Sequence, residues 1–175
     1  MHIKIFTLLT LIILLFSCKS VKNSMTSQEL ESLKAITKKD TITIESNWAY
    51  PQNPSLIYNT GLLPIGSGGG NINLIGNANH FKIIKDSLSI SLPYFGERQM
   101  GAGYNTDKAG INFNGKPMTF KSTFNSKKNI HEYFFELKNR TENFQINLII
   151  HSNLNTDIRI NTNQRTSISY RGKIL

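Results

Sequence analysis

Two runs in the last third of the chain constrain its fold more than any other feature. His131–Lys138 reads HEYFFELK and Asn143–Ile150 reads NFQINLII. Laid antiparallel across an Asn139–Glu142 loop, Leu137 meets Phe144, Phe135 meets Ile146 and Tyr133 meets Leu148 on one face. Glu132, Glu136, Gln145 and Asn147 share the other. Such segregation is what an antiparallel sheet with one buried face requires, and a one-residue slip would turn every apolar side chain to water.

The same pattern extends in both directions. Met118, Phe120 and Phe124 join the apolar face across Ser126–Asn129, Ile158 and Ile160 across Asn153–Asn155, and Ile168 and Tyr170 across Asn163–Arg165. A five-stranded meander results. Earlier, Ile42, Ile44 and Trp48 alternate with polar residues, as do Leu88, Ile90, Leu92 and Tyr94. Before them Thr26-Ser27-Gln28-Glu29 forms a capping box that opens a helix running to about Lys39, with Leu30, Leu33 and Ile36 as its core stripe. Its acids lie at the start and its lysines at the end, matching the helix dipole. The sequence therefore predicts a mainly β domain over 26–175, an antiparallel meander forming a β-sandwich or open barrel, with one N-terminal α-helix.

The first residues read differently. Ile5–Phe16 is almost unbroken apolar sequence, but twelve residues span only about 18 Å as a helix, short of a ~30 Å hydrocarbon core. Residues 1–17 fit a secretory signal better than a transmembrane helix. Leu15-Phe16-Ser17-Cys18 resembles a bacterial lipobox: an aliphatic residue, a small one, then cysteine, whose thiol can carry a diacylglyceryl group as a thioether. Cys18 is thus the expected lipidated N-terminus, and 18–25 a polar, basic tether. As the chain's single cysteine it cannot form an intramolecular disulfide, so the fold must hold without one. A membrane, through lipid on Cys18, is the first expected partner.

The formal charge is +9, from 20 Lys and Arg against 11 Asp and Glu, which fits contact with polyanions or anionic lipid. No nucleic-acid module accompanies it, so nucleic acid is not an expected partner. The register places His131 and His151 on opposite faces, His80 has no evident partner, and no HExxH occurs; neither metal nor cofactor is expected. Gly66–Asn71, GSGGGN, lacks the Gly-Lys-Ser/Thr of a phosphate loop and reads as a β-loop. No G-x-S-x-G marks a serine hydrolase.

What remains is the Ser91–Asn105 crossover, SLPYFGERQMGAGYN. Pro93 ends a strand, Tyr94-Phe95 adds aromatic area, and the glycines permit sharp backbone. Tyr94, Phe95, Glu97 and Arg98, supported by Arg165 and Tyr170, are the candidate binding residues. They either line a groove or form a corner that plugs the core.

NWAYP (Asn47–Pro51), KDSLSISLPYFG (Lys85–Gly96), GINF (Gly110–Phe113) and NQRTSISYRGKI (Asn163–Ile174), in this order, resemble domain-of-unknown-function family 4251, small lipoproteins of Bacteroidetes. The resemblance frames about 41–174 and implies no activity. It implies a lipoprotein, and the absence of acidic residues beside Cys18 points to the periplasmic face of the outer membrane. The functional expectation is an envelope lipoprotein of unknown activity: a non-catalytic binding or accessory module for lipid, glycan or a protein partner. The alternatives are a structural, self-associating envelope protein or an envelope hydrolase.

Overall fold

The computed structural model describes residues 26–59, 61, 63–99 and 110–175. The signal peptide 1–17, the Cys18 lipidation site, the 18–25 tether and the crossover from Met100 to Asn105 lie outside the described residues.

Helix α1 spans Ser27–Thr37. Thr26 caps it as the sequence predicts: Glu29 N–H donates to Thr26 Oγ1 at 3.4 Å, and Thr26 N–H to Glu29 Oε2 at 3.0 Å. Leu33 is its buried residue, seated in the core. Ten strands follow: β1 Thr41–Pro51, β2 Ile72–Asn73, β3 His80–Ile84, β4 Ser87–Leu92, β5 Ile111–Gly115, β6 Thr119–Asn125, β7 Ile130–Asn139, β8 Glu142–His151, β9 Asn155–Thr162 and β10 Ile168–Ile174. A short helix α2, Pro54–Tyr58, interrupts them after β1, its proline in the first turn, where no N–H is needed.

The sheet order is β5-β4-β3-β1-β10-β9-β8-β7-β6, with β2 beside β1, so the predicted meander β6–β10 is half of one larger sheet. That sheet curls into a half-barrel, which decides between the sandwich and the open barrel. The curl brings Phe81 of β3 within 5.8 Å of Phe135 of β7, ring to ring, although several strands separate them along the sheet. Inward side chains fill the hollow and α1 packs across it.

The predicted β7–β8 register is observed at all three pairs, Tyr133 with Leu148, Phe135 with Ile146 and Leu137 with Phe144. The loop is tighter than expected, because Asn139 and Glu142 also pair and only Arg140-Thr141 turns. Trp48 is displaced from the expected core face. A β-bulge between Ser46 and Trp48 shifts the alternation by one, so Ser46 and Ala49 point inward. The bulge presses on β10, where a Cβ on Gly172 would stand 2.0 Å from Glu45 O. Met118 and Phe120 share the apolar face yet stay 66% and 40% exposed, because β6 is an edge strand at the open side.

Candidate functional site

After Leu92 the chain leaves the sheet at Pro93. Residues 97–99 then run antiparallel to 164–166: Thr166 N–H donates to Glu97 O at 3.0 Å, Gln99 N–H donates to Gln164 O at 2.8 Å, and Arg98 bridges Arg165. The Tyr94 hydroxyl reaches Glu97 O at 3.0 Å, with Thr166 O and Oγ1 both at 2.9 Å. Burial raises its pKa above the usual phenol range. Gly96 leaves room for this, since a Cβ there would lie 2.5 Å from Tyr94 Oη. Fully buried Tyr170 donates to Pro93 O at 2.7 Å, and burial pushes its phenol well up.

Behind these aromatics lies a buried charge cluster. Arg165 Nε and Nη2 donate to Glu142 Oε2 at 3.2 and 3.1 Å, and Nη1 donates to Gly110 O at 3.0 Å. Glu142 Oε1 stands 2.9 Å from Arg165 Nε, held by charge rather than by an aligned hydrogen bond. Arg98 Nη2 adds a second cation at 3.1 Å from Oε2. The Arg165 guanidinium also lies 5.1 Å from the centre of the Tyr94 ring. With the side chains of Glu142 and Arg165 only 7% and 6% exposed, the cluster pins four segments of backbone together and is poorly placed to exchange protons with water.

The structure thus gathers Tyr94, Arg98, Arg165 and Tyr170. Phe95 packs against the core. Glu97 contributes its backbone while its side chain is exposed, and Arg98 pairs with Glu142. Sequence reasoning missed Glu142 by assigning it to a loop. Continuing the alternation backwards from Ile146 and Phe144 places a carboxylate on the core face at 142, which demands a cation partner.

Two grooves lie elsewhere. One, of about 370 Å³, is on the outer face of β6–β8, lined by Lys121, Glu132, Phe134 and Asn147 among others. The other, of about 420 Å³, lies where β5 approaches β7, lined by His80, Ser89, Asn112, Asn114, Lys138 and Asn139 among others. His80, unpartnered in the sequence reading, has Nε2 3.1 Å from Ser89 Oγ. Burial, then the charge of Lys82, lowers its pKa. His131 and His151 lie on opposite faces, bonded to Ser122 and Asp157 respectively. Among the described residues no three His, Cys, Asp or Glu side chains gather as metal ligands.

The family model for a domain of unknown function, DUF4251, matches residues 24–174. The chain belongs to this family. A crystal structure of a DUF4251 family protein from Bacteroides eggerthii is similar in fold, with a TM-score of 0.56 at 14% identity over 85% of this chain and 87% of that one. No curated protein matches. The corner gives the DUF4251 resemblance a physical meaning. LPYFG and RTSISYRG fold onto one another there, through Tyr170 to Pro93, Tyr94 to Thr166 and Arg165 to Tyr94. These stretches act as architecture, joining the end of β4 to the start of β10.

Proposed function

We propose that this chain is an envelope lipoprotein, attached to the outer membrane through lipid on Cys18 and facing the periplasm, whose β domain is a non-catalytic binding or accessory module. The observation that carries it is Leu15-Phe16-Ser17-Cys18 behind a short apolar run. Spacing supports the location. The first described residue, Thr26, follows Cys18 by eight positions, so the domain would sit within about 28 Å of a lipid surface even on a fully extended tether. The buried, charge-paired Arg98–Glu142–Arg165 cluster supports a non-catalytic role for the corner.

The test is to label cells with a clickable fatty acid, compare wild type with Cys18→Ala, fractionate the envelope and treat intact cells with protease. The expected result is a labelled, outer-membrane, protease-shielded protein whose label vanishes in the variant. Equal absence of label from both would overturn the anchor; digestion in intact cells would move the domain to the outer surface.

A second reading, self-association, is favoured by β6, an edge strand among the described residues, with Met118 and Phe120 exposed beside it. Sedimentation of the detergent-purified chain and its Phe120→Lys variant tests it. A dimer that the substitution disperses would support this reading, and a monomer in both would remove it.

A further inference from the structure

The groove between β5 and β7 is built differently from the rest of the outer surface. In register, Lys82 pairs with Ser89, Ser89 with Asn114, and Ser91 with Asn112. The flanking Phe81, Leu88 and Ile90 point inward, so these polar side chains stand together on the outer face. From the far end of the sheet order β7 supplies Lys138 and Asn139, and Asn139 Nδ2 donates to Asn112 O at 2.7 Å. The groove therefore exists only because the sheet curls until β5 approaches the end of β7.

Its lining combines three carboxamides, a hydroxyl, an imidazole and an ammonium, with Ile90 and Phe113 turned towards the core behind them. The side chains of Asn112, Asn114 and Lys138 have no hydrogen-bond partner among the described residues. A carboxamide offers donor and acceptor side by side, which suits neighbouring hydroxyls. Among the described residues no acid lines the groove, while Lys138 borders it and Lys82 stands next to Ser89. The charge balance selects against cations and for an anionic group.

We infer that this groove binds an acidic saccharide, with Asn112, Asn114 and Ser89 reading its hydroxyls and Lys138 its carboxylate. The inference rests on the binding-module reading above and names its ligand class. His80, whose pKa is lowered by burial and then by the charge of Lys82, is a hydrogen-bonding neighbour to Ser89.

The experiment uses the detergent-purified full chain, titrated calorimetrically with trigalacturonate and with maltotriose as the uncharged control. Saturable binding of trigalacturonate is expected, weakened about tenfold or more by Lys138→Gln and by Asn112→Ala with Asn114→Ala, as for loss of a charge-assisted bond or two neutral ones. Maltotriose should bind at least about tenfold more weakly. Unchanged thermal midpoints would show the variants folded. The inference is overturned if neither sugar binds, if both bind equally, or if binding survives both variants. Fatty-acid labelling is scored separately, so a labelled chain that ignores both sugars refutes the ligand and leaves the envelope reading standing.

Discussion

The corner and the seam groove are both polar sites on loops and strand ends, yet they differ in where their hydrogen bonds go. At the corner, Glu142 faces Arg98 and Arg165, Tyr170 faces Pro93 O, and Tyr94 faces Thr166. In the groove, Asn112, Asn114 and Lys138 turn outward with no described partner. Polar groups that satisfy one another inside a fold hold it together, and removing one strands the others without water. Polar groups displayed without partners contribute little to folding and are free to meet a ligand. Charged residues near aromatics in a sequence cannot tell these cases apart; burial does.

The largest effect is expected of Glu142→Ala, which leaves two guanidinium groups facing an emptied, largely buried site. We expect a loss of about 3–5 kcal/mol and a fall in thermal midpoint of about 10 °C, read by denaturant and thermal unfolding. A loss under about 1 kcal/mol would mean the corner is not structural. Next comes Gly96→Ala, whose Cβ would collide with Tyr94 Oη and Thr166 Oγ1; calorimetric unfolding should show about 1–3 kcal/mol lost. Tyr170→Phe keeps the ring and removes only the bond to Pro93 O, for about 1–1.5 kcal/mol by urea titration. Asn112→Ala with Asn114→Ala should change stability by no more than about 0.5 kcal/mol, the mark of a displayed site. A larger loss would blur the distinction.

The smallest effect is with pH. His80 and His131 both have pKa values lowered from 6.5, by burial in each case and also by Lys82 at His80. The unfolded chain then binds protons more readily than the folded one. Stability is therefore complete above about pH 6.5 and declines as pH falls through the lowered folded values. Midpoints between pH 7.5 and 5 should decline shallowly, and His80→Gln with His131→Gln should flatten the curve. Glu142→Ala should keep that slope, since neither histidine bonds to the corner.

Much of the second half was legible in advance. Tyr133, Phe135 and Leu137 find their expected partners because hairpin register follows from side-chain alternation and a short connection, both readable along a few residues. The Thr26 cap was legible for the same reason. The first half was less so. Trp48 sits in an alternating run, but the bulge that displaces it depends on β10 and on Gly172, more than a hundred residues later. Of the candidate residues, Tyr94, Arg98, Arg165 and Tyr170 were picked out by type and neighbourhood, whereas Glu142 was hidden in an assumed loop.

An antiparallel β domain, its capped helix, the register of the β7–β8 hairpin and the family all follow from the order of residues alone. Each follows from residue types a few positions apart or from motifs in order. The curl of one sheet into a half-barrel, the two arginines that meet Glu142, and the groove shared by Asn112 and Lys138 arise in three dimensions. Those contacts join strands far apart in sheet order, and their partners are chosen by how the curled sheet closes over its core.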